Sequence, residues 1–351
     1  MIRIGVNALY LIPGGVGGTE IYLRNLLGAL AEIDAVNQYV VFTNRETDAS
    51  LVPDRPNFVH ARQAVKAAFR PARILWEQLV LPFAIRRHRI QVLLNPGFTA
   101  PLACPCPMVT VFHDLQYKRH PEYFRWFDLP FWRFFLWAAA RRSCGLISIS
   151  QATADDIELY YSRSAQVIHF GVEREFFEIS PRREPREYLL CVSTTHPHKN
   201  LQRLLRVHAE TKNVPRLVIT GVRGFAAQEI ESLASGSVEL TGWIPREQLY
   251  ELYRGALGFI YPSTFEGFGM PVLEAMAAGV PVACSDIPPL REIARSTVHF
   301  FDPASDREIG DALLRLASGK ISTEAAQRRA SGFTWEKTAR ATLDYLSKCS
   351  S

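Results

Sequence analysis

The chain has 351 residues, of which 48% are hydrophobic and 21% are charged. This composition excludes a disordered chain, and the length favours two domains over one. The net charge of +5 lies entirely in residues 1–170, which hold 18 Lys and Arg against 13 Asp and Glu, whereas residues 171–351 hold 22 of each. The excess is too small for a nucleic-acid binder, but it suits an anionic substrate or an anionic lipid surface.

Apolar runs and cysteines bear on location and redox state. No run approaches the roughly 18 apolar residues that a membrane-spanning helix needs. The first residues are typical of a strand rather than of a signal peptide. Of the six cysteines, only Cys104 and Cys106 are close in sequence, and no second pair completes a zinc spacing. We therefore expect a cytoplasmic protein with free thiols and without a metal site.

The first half of the chain alternates short aliphatic runs with amphipathic stretches. The runs predict strands at Ile2–Val6, Tyr39–Thr43, Asn57–Ala61, Val92–Asn95, Val109–His113, Leu146–Ser150 and Gln166–His169. The stretches predict helices at Thr19–Glu32, Arg73–His88, Thr153–Tyr160 and within Pro121–Arg142. Such alternation indicates parallel sheets that are covered by helices on both faces.

A polar segment at 171–187, with two prolines, is typical of a linker between two domains. The alternation then resumes, with strands at Tyr188–Val192, Arg216–Thr220, Val238–Leu240, Leu257–Tyr261, Val282–Ser285 and Val298–Phe301. The helices between them are predicted at Leu201–Thr211, Ala226–Ala234, Arg246–Arg254, Pro271–Ala278 and Arg307–Ser318. We therefore predict an α/β protein with two doubly wound, Rossmann-like domains at 1–170 and 188–333, facing a central cleft that holds the ligand site.

The most particular motif is YPSTFEGFGMPVLEAMAAGVP at residues 261–281. A predicted strand ends there, the loop Glu266-Gly267-Phe268-Gly269-Met270 follows, and Pro271 opens a helix. The loop amides and the helix N-terminus offer hydrogen-bond donors to a phosphate or to sugar hydroxyls. Glu274, eight residues after Glu266, can accept hydrogen bonds from the two hydroxyls of a ribose.

Three further groups follow the ends of other predicted strands. Lys199, within HPHKN at 196–200, has an ammonium that can neutralise a diphosphate. His113, with Asp114 beside it, stands where a ring nitrogen can meet a sugar hydroxyl. The loop GGVGGTE at 14–20 lacks the third glycine of a dinucleotide-binding fingerprint, which counts against an oxidoreductase.

Together these motifs resemble those of the retaining GT-B glycosyltransferases of the family 4 type, whose two glutamates stand in an E-x7-E pattern. The resemblance covers nearly the whole chain. It implies that Glu266 and His113 are catalytic-site residues that contact the donor sugar, with Asp114 orienting the histidine or approaching the acceptor. It also implies that Glu274 binds the nucleotide ribose. The amides of Gly15, Gly17 and Gly18 would approach the diphosphate or the acceptor.

The donor site departs from the family pattern at one position. The family often places an arginine five residues before the lysine, where this sequence has Thr194. His198, Arg223 or an N-domain residue could replace it, and we favour Arg223, because its loop follows the next strand and a guanidinium suits a phosphate. Gly242-Trp243-Ile244 resembles the loop that holds the nucleobase through backbone groups. The last helix, within 334–351, resembles the segment that returns to the N-terminal domain in this fold.

The first half also contains YFRWFDLPFWRFFLW at residues 123–137. These aromatics either are buried in the core or against an acceptor groove, or they touch a membrane interface. Arg86, Arg87 and Arg89 add positive charge to the same domain, which favours peripheral association with anionic lipid.

We therefore expect a retaining hexosyltransferase of bacterial polysaccharide or lipopolysaccharide synthesis, located in the cytoplasm or at the inner face of its membrane. It would move a sugar from a nucleotide-sugar, such as GDP-mannose, to a glycan or lipid-linked glycan. The sequence has no Asp-x-Asp pair and no evident nucleophile, so we expect no metal and no other cofactor. The resemblance implies a same-face attack in which the leaving phosphate takes the acceptor proton. The alternatives are a non-catalytic nucleotide-sugar-binding module, a disaccharide synthase or phosphorylase on the same fold and, more distantly, an oxidoreductase.

Overall fold

Buried aliphatic runs form the strands of two separate parallel sheets. The structure, a computed structural model, describes residues 1–14, 17–180, 188–234 and 236–350. It divides into a first unit, Met1–Gly171 with Trp335–Ser351, and a second unit, Val172–Thr334. The predicted α/β fold with two doubly wound, Rossmann-like domains is confirmed.

The sheet of the first unit has seven parallel strands in the order β3-β2-β1-β4-β5-β6-β7. The strands are β1 Arg3–Asn7, β2 Gln38–Thr43, β3 Phe58–Arg62, β4 Val92–Asn95, β5 Met108–Phe112, β6 Gly145–Ser148 and β7 Gln166–Val167. The register pairs Val6 with Val41 on one side and with Leu94 on the other. Every residue of the central strands β4 and β5 is buried, so both faces of the sheet are covered there, which is typical of parallel sheets.

The helices between these strands follow the amphipathic stretches, with one break that the pattern missed. They are α1 Gly18–Ile33, α2 Arg70–Leu79, α3 Leu81–Arg87, α4 Gln116–Arg119, α5 Leu129–Arg142 and α6 Gln151–Tyr161. The prediction of one helix over Arg73–His88 was wrong, because the helix ends at Leu79 and a new one begins at Leu81. Pro82 has no backbone N–H to donate to the preceding turn, which explains the break.

The second unit has a six-stranded parallel sheet in the order β10-β9-β8-β11-β12-β13. The strands are β8 Tyr188–Val192, β9 Arg216–Thr220, β10 Val238–Gly242, β11 Gly258–Tyr261, β12 Val282–Ser285 and β13 His299–Phe301. The helices are α7 Arg174–Ile179, α8 Leu201–Glu210, α9 Ala227–Leu233, α10 Arg246–Gly255, α11 Met270–Ala277, α12 Pro288–Ala294, α13 Asp306–Ala317 and α14 Glu324–Ala330. Leu189, Leu217 and Ile260 lie in its core.

The boundaries of the two units depend on the linker and on the last helix. Residues 172–180, which the sequence pattern placed in the linker, belong to the second unit and contain α7. The remaining linker residues, 181–187, lie outside the described residues. The last helix, α15 Trp335–Ser350, belongs to the first unit and packs against α1. The Trp335 ring stacks on Phe170, with centroids 5.8 Å apart.

Candidate active site

The strand order of the second sheet changes direction between β8 and β11. Ligands of open α/β sheets bind beyond the carboxyl ends of the strands at such a point. Two loops begin there, residues 193–200 after β8 and residues 262–269 after β11. A backbone hydrogen bond joins the two loops, because the amide of Thr264 donates to the carbonyl of His198 at 2.8 Å. The motif lysine and the first motif glutamate are therefore on adjacent loops.

Lys199 and Glu266 form an ion pair at this point. Lys199 Nζ donates to Glu266 Oε1 at 2.6 Å and to the Tyr261 hydroxyl at 3.1 Å. The two side chains are only 12% and 10% exposed. An ammonium has three donors, so one N–H of Lys199 remains for a ligand oxygen.

Local backbone geometry explains why the lysine lies here. Asn200 follows it in the left-handed conformation, with φ 57°, which asparagine tolerates better than most residues. Its side-chain amide donates to the carbonyls of Pro262 and Pro303, at 3.1 and 2.9 Å. The asparagine of HPHKN thus ties the lysine-bearing turn to the loop after β11.

The charge state of Glu266 follows from burial opposed by its neighbours. Burial alone would raise the pKa of this carboxyl, but the Lys199 ammonium, the nearby His198 and hydrogen bonds outweigh it and bring the pKa below its usual value. Glu266 is therefore ionised at neutral pH and acts as a hydrogen-bond acceptor.

Gly269 sets the direction in which α11 leaves the loop. Its φ is 105°, and a Cβ added there would lie 2.2 Å from Leu290 Cδ2. The positive φ favours glycine, and any larger residue would also force the buried Leu290 side chain to shift. The loop residues before it include Phe268, whose ring is buried against Phe333.

Glu274, in α11, is buried and already has protein partners. Arg246 Nη2 donates to its Oε1 at 2.8 Å, and the Tyr253 hydroxyl donates to its Oε2 at 3.1 Å. Each carboxylate oxygen has a second lone pair, so the group can still accept one hydrogen bond at each oxygen. Burial raises the pKa of Glu274, and Arg246 partly offsets that effect.

Arg246 is shared between two carboxylates, an arrangement that sequence reasoning missed. Its Nε donates to Glu173 Oε2 at 3.0 Å, and the Tyr250 hydroxyl donates to the same oxygen at 2.7 Å. Glu173 lies only two residues after the first unit ends at Gly171. Nothing in the spacing indicated this cluster, because its members come from separate segments and look like ordinary surface charges in the sequence.

The other predicted donor-site residues lie in the neighbouring loops after β9 and β10. The loop after β9 packs on that after β8, since Gly224 N donates to Thr195 Oγ1 at 2.6 Å. Arg223 in this loop is 69% exposed and pairs with Glu231 at 2.9 Å. Gly242 ends β10 with φ 69°, and in the loop that follows Trp243 is exposed and Ile244 is half-buried.

In the first unit, His113 is the first residue after β5. It is 6% exposed, and its Nε2 lies 2.7 Å from the Pro96 carbonyl oxygen. Because a carbonyl only accepts, Nε2 carries the proton in the neutral ring and Nδ1 presents a lone pair. Burial among the rings of Tyr22, Phe98 and Phe170 lowers the pKa of His113 to about 4. The imidazole is therefore neutral at physiological pH.

The remaining first-unit predictions concern Asp114 and the glycine loop. Asp114 Oδ1 accepts the amide of Gln116 at 3.0 Å, which turns the chain after β5. Gly17 caps α1 with φ 57°, and Gly18 is its first residue. Gly15 lies outside the described residues.

Two searches of the described residues gave negative findings. They contain no group of three or more His, Cys, Asp or Glu side chains arranged to hold a metal ion. Across the same ranges, every helix is too short or too polar to cross a bilayer.

Two family models match consecutive parts of the chain. The model described as glycosyl transferases group 1 matches residues 172–332, which include Lys199, Glu266 and Glu274. The model described as glycosyltransferase family 4 matches residues 16–176, which include His113.

Individual relatives agree with these models. The O-antigen chain mannosyltransferase B of Escherichia coli is 25% identical over 97% of this chain and 94% of its own length. Sucrose-phosphate synthase from Thermosynechococcus elongatus has a similar structure, with a TM-score of 0.79, 18% identity and 99% of each chain covered. Anabaena HepE, solved with UDP and glucose, gives a TM-score of 0.75 at 18% identity, covering 99% of this chain and all of its own.

The two doubly wound sheets and these matches define a sugar-transferring enzyme of the GT-B fold. The chain is a GT-B glycosyltransferase whose first part matches the family 4 model and whose second part matches the group 1 model.

Proposed function

We propose that this glycosyltransferase is a retaining hexosyltransferase that extends a cell-surface polysaccharide. It takes the sugar from a nucleotide-sugar, with GDP-mannose as the first candidate, and passes it to a hydroxyl of a glycan or lipid-linked glycan. The support for mannose is the Escherichia coli O-antigen mannosyltransferase, which aligns with this chain almost end to end. We also place the enzyme in the cytoplasm, where nucleotide-sugars are made.

One observation supports the donor site above all others. The Lys199–Glu266 pair lies where the second sheet changes direction, and Glu274 follows on the helix that begins at the same loop. A cation, a sugar-hydroxyl acceptor and a ribose-diol acceptor are the three groups that a nucleotide-sugar requires. Neither an apolar ligand nor a free sugar would need all three.

Each group has a distinct task in the proposed reaction. The free N–H of Lys199 meets a phosphate oxygen and stabilises the charge that grows on the leaving diphosphate. Glu266 accepts hydrogen bonds from hydroxyls of the donor sugar, and Glu274 accepts those of the ribose. His113 offers the Nδ1 lone pair to a sugar hydroxyl. Arg223 supplies a second cation to the diphosphate after exchanging its exposed pairing with Glu231 for the ligand.

Retention and metal independence belong to the same proposal. His113 is a neutral hydrogen-bonding group, and Glu266 is held by Lys199, so we assign neither as a covalent nucleophile. The acceptor then attacks the face from which the diphosphate leaves, and a phosphate oxygen takes the acceptor proton. Lys199 and the loop amides take the charge-stabilising role that a metal ion has in other transferases.

Exposed aromatic and basic side chains of the first unit support contact with a membrane. Trp126 is 82% exposed, and Phe127, Phe134 and Trp137 are each about half exposed. Exposed arginines accompany them in the same unit, among them Arg86, Arg87 and Arg89 on and after α3. Aromatic rings with cationic neighbours suit the interface of an anionic bilayer. A lipid-linked acceptor would be presented at that surface.

The proposal is tested by incubating the full chain with a panel of nucleotide-sugars and measuring nucleoside diphosphate release and melting temperature. One donor should be hydrolysed slowly without acceptor, and its diphosphate should stabilise the protein. Proton NMR of the transferred sugar should show the donor's anomeric configuration. An inverted product would refute retention. Turnover of a sugar phosphate instead of the nucleotide-sugar would favour a phosphorylase, and binding without any turnover would favour a binding module.

A further inference from the structure

Arg70 and Arg73, in the first turn of α2, have few hydrogen-bond acceptors. Arg73 is 8% exposed, and its Nη1 lies 3.7 Å from Glu77 Oε2, beyond hydrogen-bond distance. Arg70 Nη1 is 3.3 Å from Asp128 Oδ1. Among the residues that the structure describes, no partner faces the buried Nη2 of Arg70, and the Arg73 guanidinium has the long ion-pair contact with Glu77 as its charged partner.

An unsatisfied buried donor is unfavourable. A guanidinium has five N–H donors, and the buried Nη2 of Arg70, left without a partner, costs about 1–3 kcal/mol. Glu77 Oε2 also accepts the Thr99 hydroxyl at 2.9 Å, and at 3.7 Å its contact with Arg73 is an ion pair without a hydrogen bond. The Nη2 of Arg70 and the guanidinium of Arg73 therefore leave room for acceptor oxygens that a ligand can supply.

The geometry of Arg70 selects the class of ligand. Its guanidinium lies over the rings of Phe131 and Trp132, with its carbon 4.2 and 4.5 Å from their centroids. Stacking covers the faces of the group and leaves its in-plane N–H edge for hydrogen bonds. That edge matches two oxygens of a phosphate or carboxylate.

Electrostatics agree with this choice. Burial and, to a smaller extent, the like charge of Arg70 lower the pKa of Arg73, while Glu77 opposes them. Burial likewise lowers the pKa of Arg70, with Asp128 in opposition. A bound anion would relieve both the burial of charge and the repulsion between the two guanidinium groups.

The position of the two arginines connects them to His113. The loop after β4 contains both Phe98 and Thr99. The Phe98 ring contacts the Trp132 ring, with centroids 6.0 Å apart, and the His113 ring, with centroids 5.4 Å apart. The cations that meet the donor diphosphate, Lys199 and Arg223, are assigned above to the second unit, so we assign an anion held by arginines of the first unit to the other substrate.

We propose that Arg70 and Arg73 form an oxyanion-binding site that takes a phosphate or carboxylate group of the acceptor. The assignment to the acceptor rests on the proposed transferase function, whereas the binding of an oxyanion does not. The acceptor is accordingly an anionic glycan or a glycan carried on a phosphate.

The test is calorimetry on the full chain, saturated with the nucleoside diphosphate that stabilises it most. Because that ligand occupies the donor site, added inorganic phosphate, pyrophosphate or glucuronate reports on other sites. Wild type should bind phosphate or pyrophosphate if the acceptor group is a phosphate, and glucuronate if it is a carboxylate. Arg73→Gln and the less buried Arg70→Gln should each weaken that binding at least tenfold. Arg73→Lys keeps the positive charge but loses the planar pair of N–H donors, so its oxyanion affinity should be intermediate.

The matched control is Arg141→Gln, which removes one exposed arginine from the last turn of α5. It should leave oxyanion binding unchanged, and all variants should keep wild-type affinity for the nucleoside diphosphate. No oxyanion binding by saturated wild type, or equal losses in Arg141→Gln and Arg73→Gln, would overturn the site. If no nucleoside diphosphate binds at all, the donor proposal fails, and the same titrations on the unsaturated chain still decide the oxyanion site.

Discussion

Arg246→Gln should have opposite pH effects on folding and on nucleotide binding. The substitution leaves Glu274, only 4% exposed, with the Tyr253 hydroxyl as its remaining donor. Removing one partner of a fully buried pair costs about 3–5 kcal/mol. Arg246 itself is 27% exposed, so water can replace part of it, and we expect a loss of about 2–3 kcal/mol. That loss corresponds to a fall in melting temperature of roughly 4–12 °C.

The sign of the pH effect follows from the raised pKa of Glu274. A carboxyl with a raised pKa in the folded state stabilises the fold most below its unfolded pKa and loses that contribution as pH rises through the folded value. Without Arg246 the folded pKa rises further. The stability deficit of the variant should therefore be largest near pH 7.5 and shrink as pH falls towards 5.

Nucleotide affinity should change in the other direction. In the proposed donor site the ionised Glu274 accepts both ribose hydroxyls, and protonation would turn one acceptor into a donor. A hydrogen bond to a charged group is worth about 1.5–3 kcal/mol, so the variant should lose roughly 10- to 100-fold in affinity as Glu274 protonates. The measurement is the variant-to-wild-type ratio of dissociation constants at each pH, because the ratio cancels titration of the nucleotide phosphate.

Neighbouring groups provide the controls for this experiment. The charged groups that act on Glu274 are Arg246 and Glu173, and the Tyr253 hydroxyl donates a hydrogen bond to it. Glu274→Gln should weaken nucleotide binding by a ratio that stays constant wherever wild-type Glu274 is ionised, and Glu173→Gln should give a ratio near one. For Arg246→Lys, the ratio of dissociation constants should change little with pH. A ratio for Arg246→Gln that stays constant from about pH 5.5 to 8 would refute the reasoning.

Three other outcomes are expected. Gly269→Ala should lower the melting temperature by several degrees, because its φ of 105° and the Leu290 Cδ2 2.2 Å from the new Cβ cost about 2–4 kcal/mol. The matched Gly28→Ala, where a Cβ meets open space on α1, should be neutral or stabilising by up to ~1 kcal/mol, and equal losses in both would contradict this account. Transfer should persist in EDTA, and a loss that Mg²⁺ or Mn²⁺ restores would rule out the metal-independent mechanism. Replacing Arg86, Arg87 and Arg89 by glutamate should weaken binding to anionic vesicles, measured by sedimentation, by about 1 kcal/mol of binding free energy per arginine. Donor hydrolysis should stay intact. Unchanged sedimentation would remove these arginines from any membrane contact.

The sheets were predictable because each strand is a short aliphatic run bounded by polar or turn residues. Tyr188–Val192 and Val282–Ser285 coincide with their predicted bounds. Short helices were missed, among them Pro288–Ala294 and Glu324–Ala330, because seven residues hold too few turns to display a helical period. The local pattern is thus sufficient for the strands and the longer helices, whereas it identifies the shortest helices unevenly.

The candidate site was predictable where its residues follow strand ends, and not where they meet across the fold. Lys199 and Glu266 were each identified from their loops, but their ion pair joins positions 67 residues apart. Arg246 and Glu173, 73 residues apart, gave no pattern at all. Such partners are selected by the packing of helices and loops, which a single sequence does not display.

The return of α15 to the first unit has a consequence for how the chain is made. A ribosome releases residues 172–334 before it releases the helix that packs against α1. All residues of the second unit are synthesised before the last helix of the first unit. During that interval the side of α1 that packs against α15 is exposed in the growing chain. Stalled or prematurely ended synthesis would yield products with that surface bare, which are natural clients for chaperones and proteases.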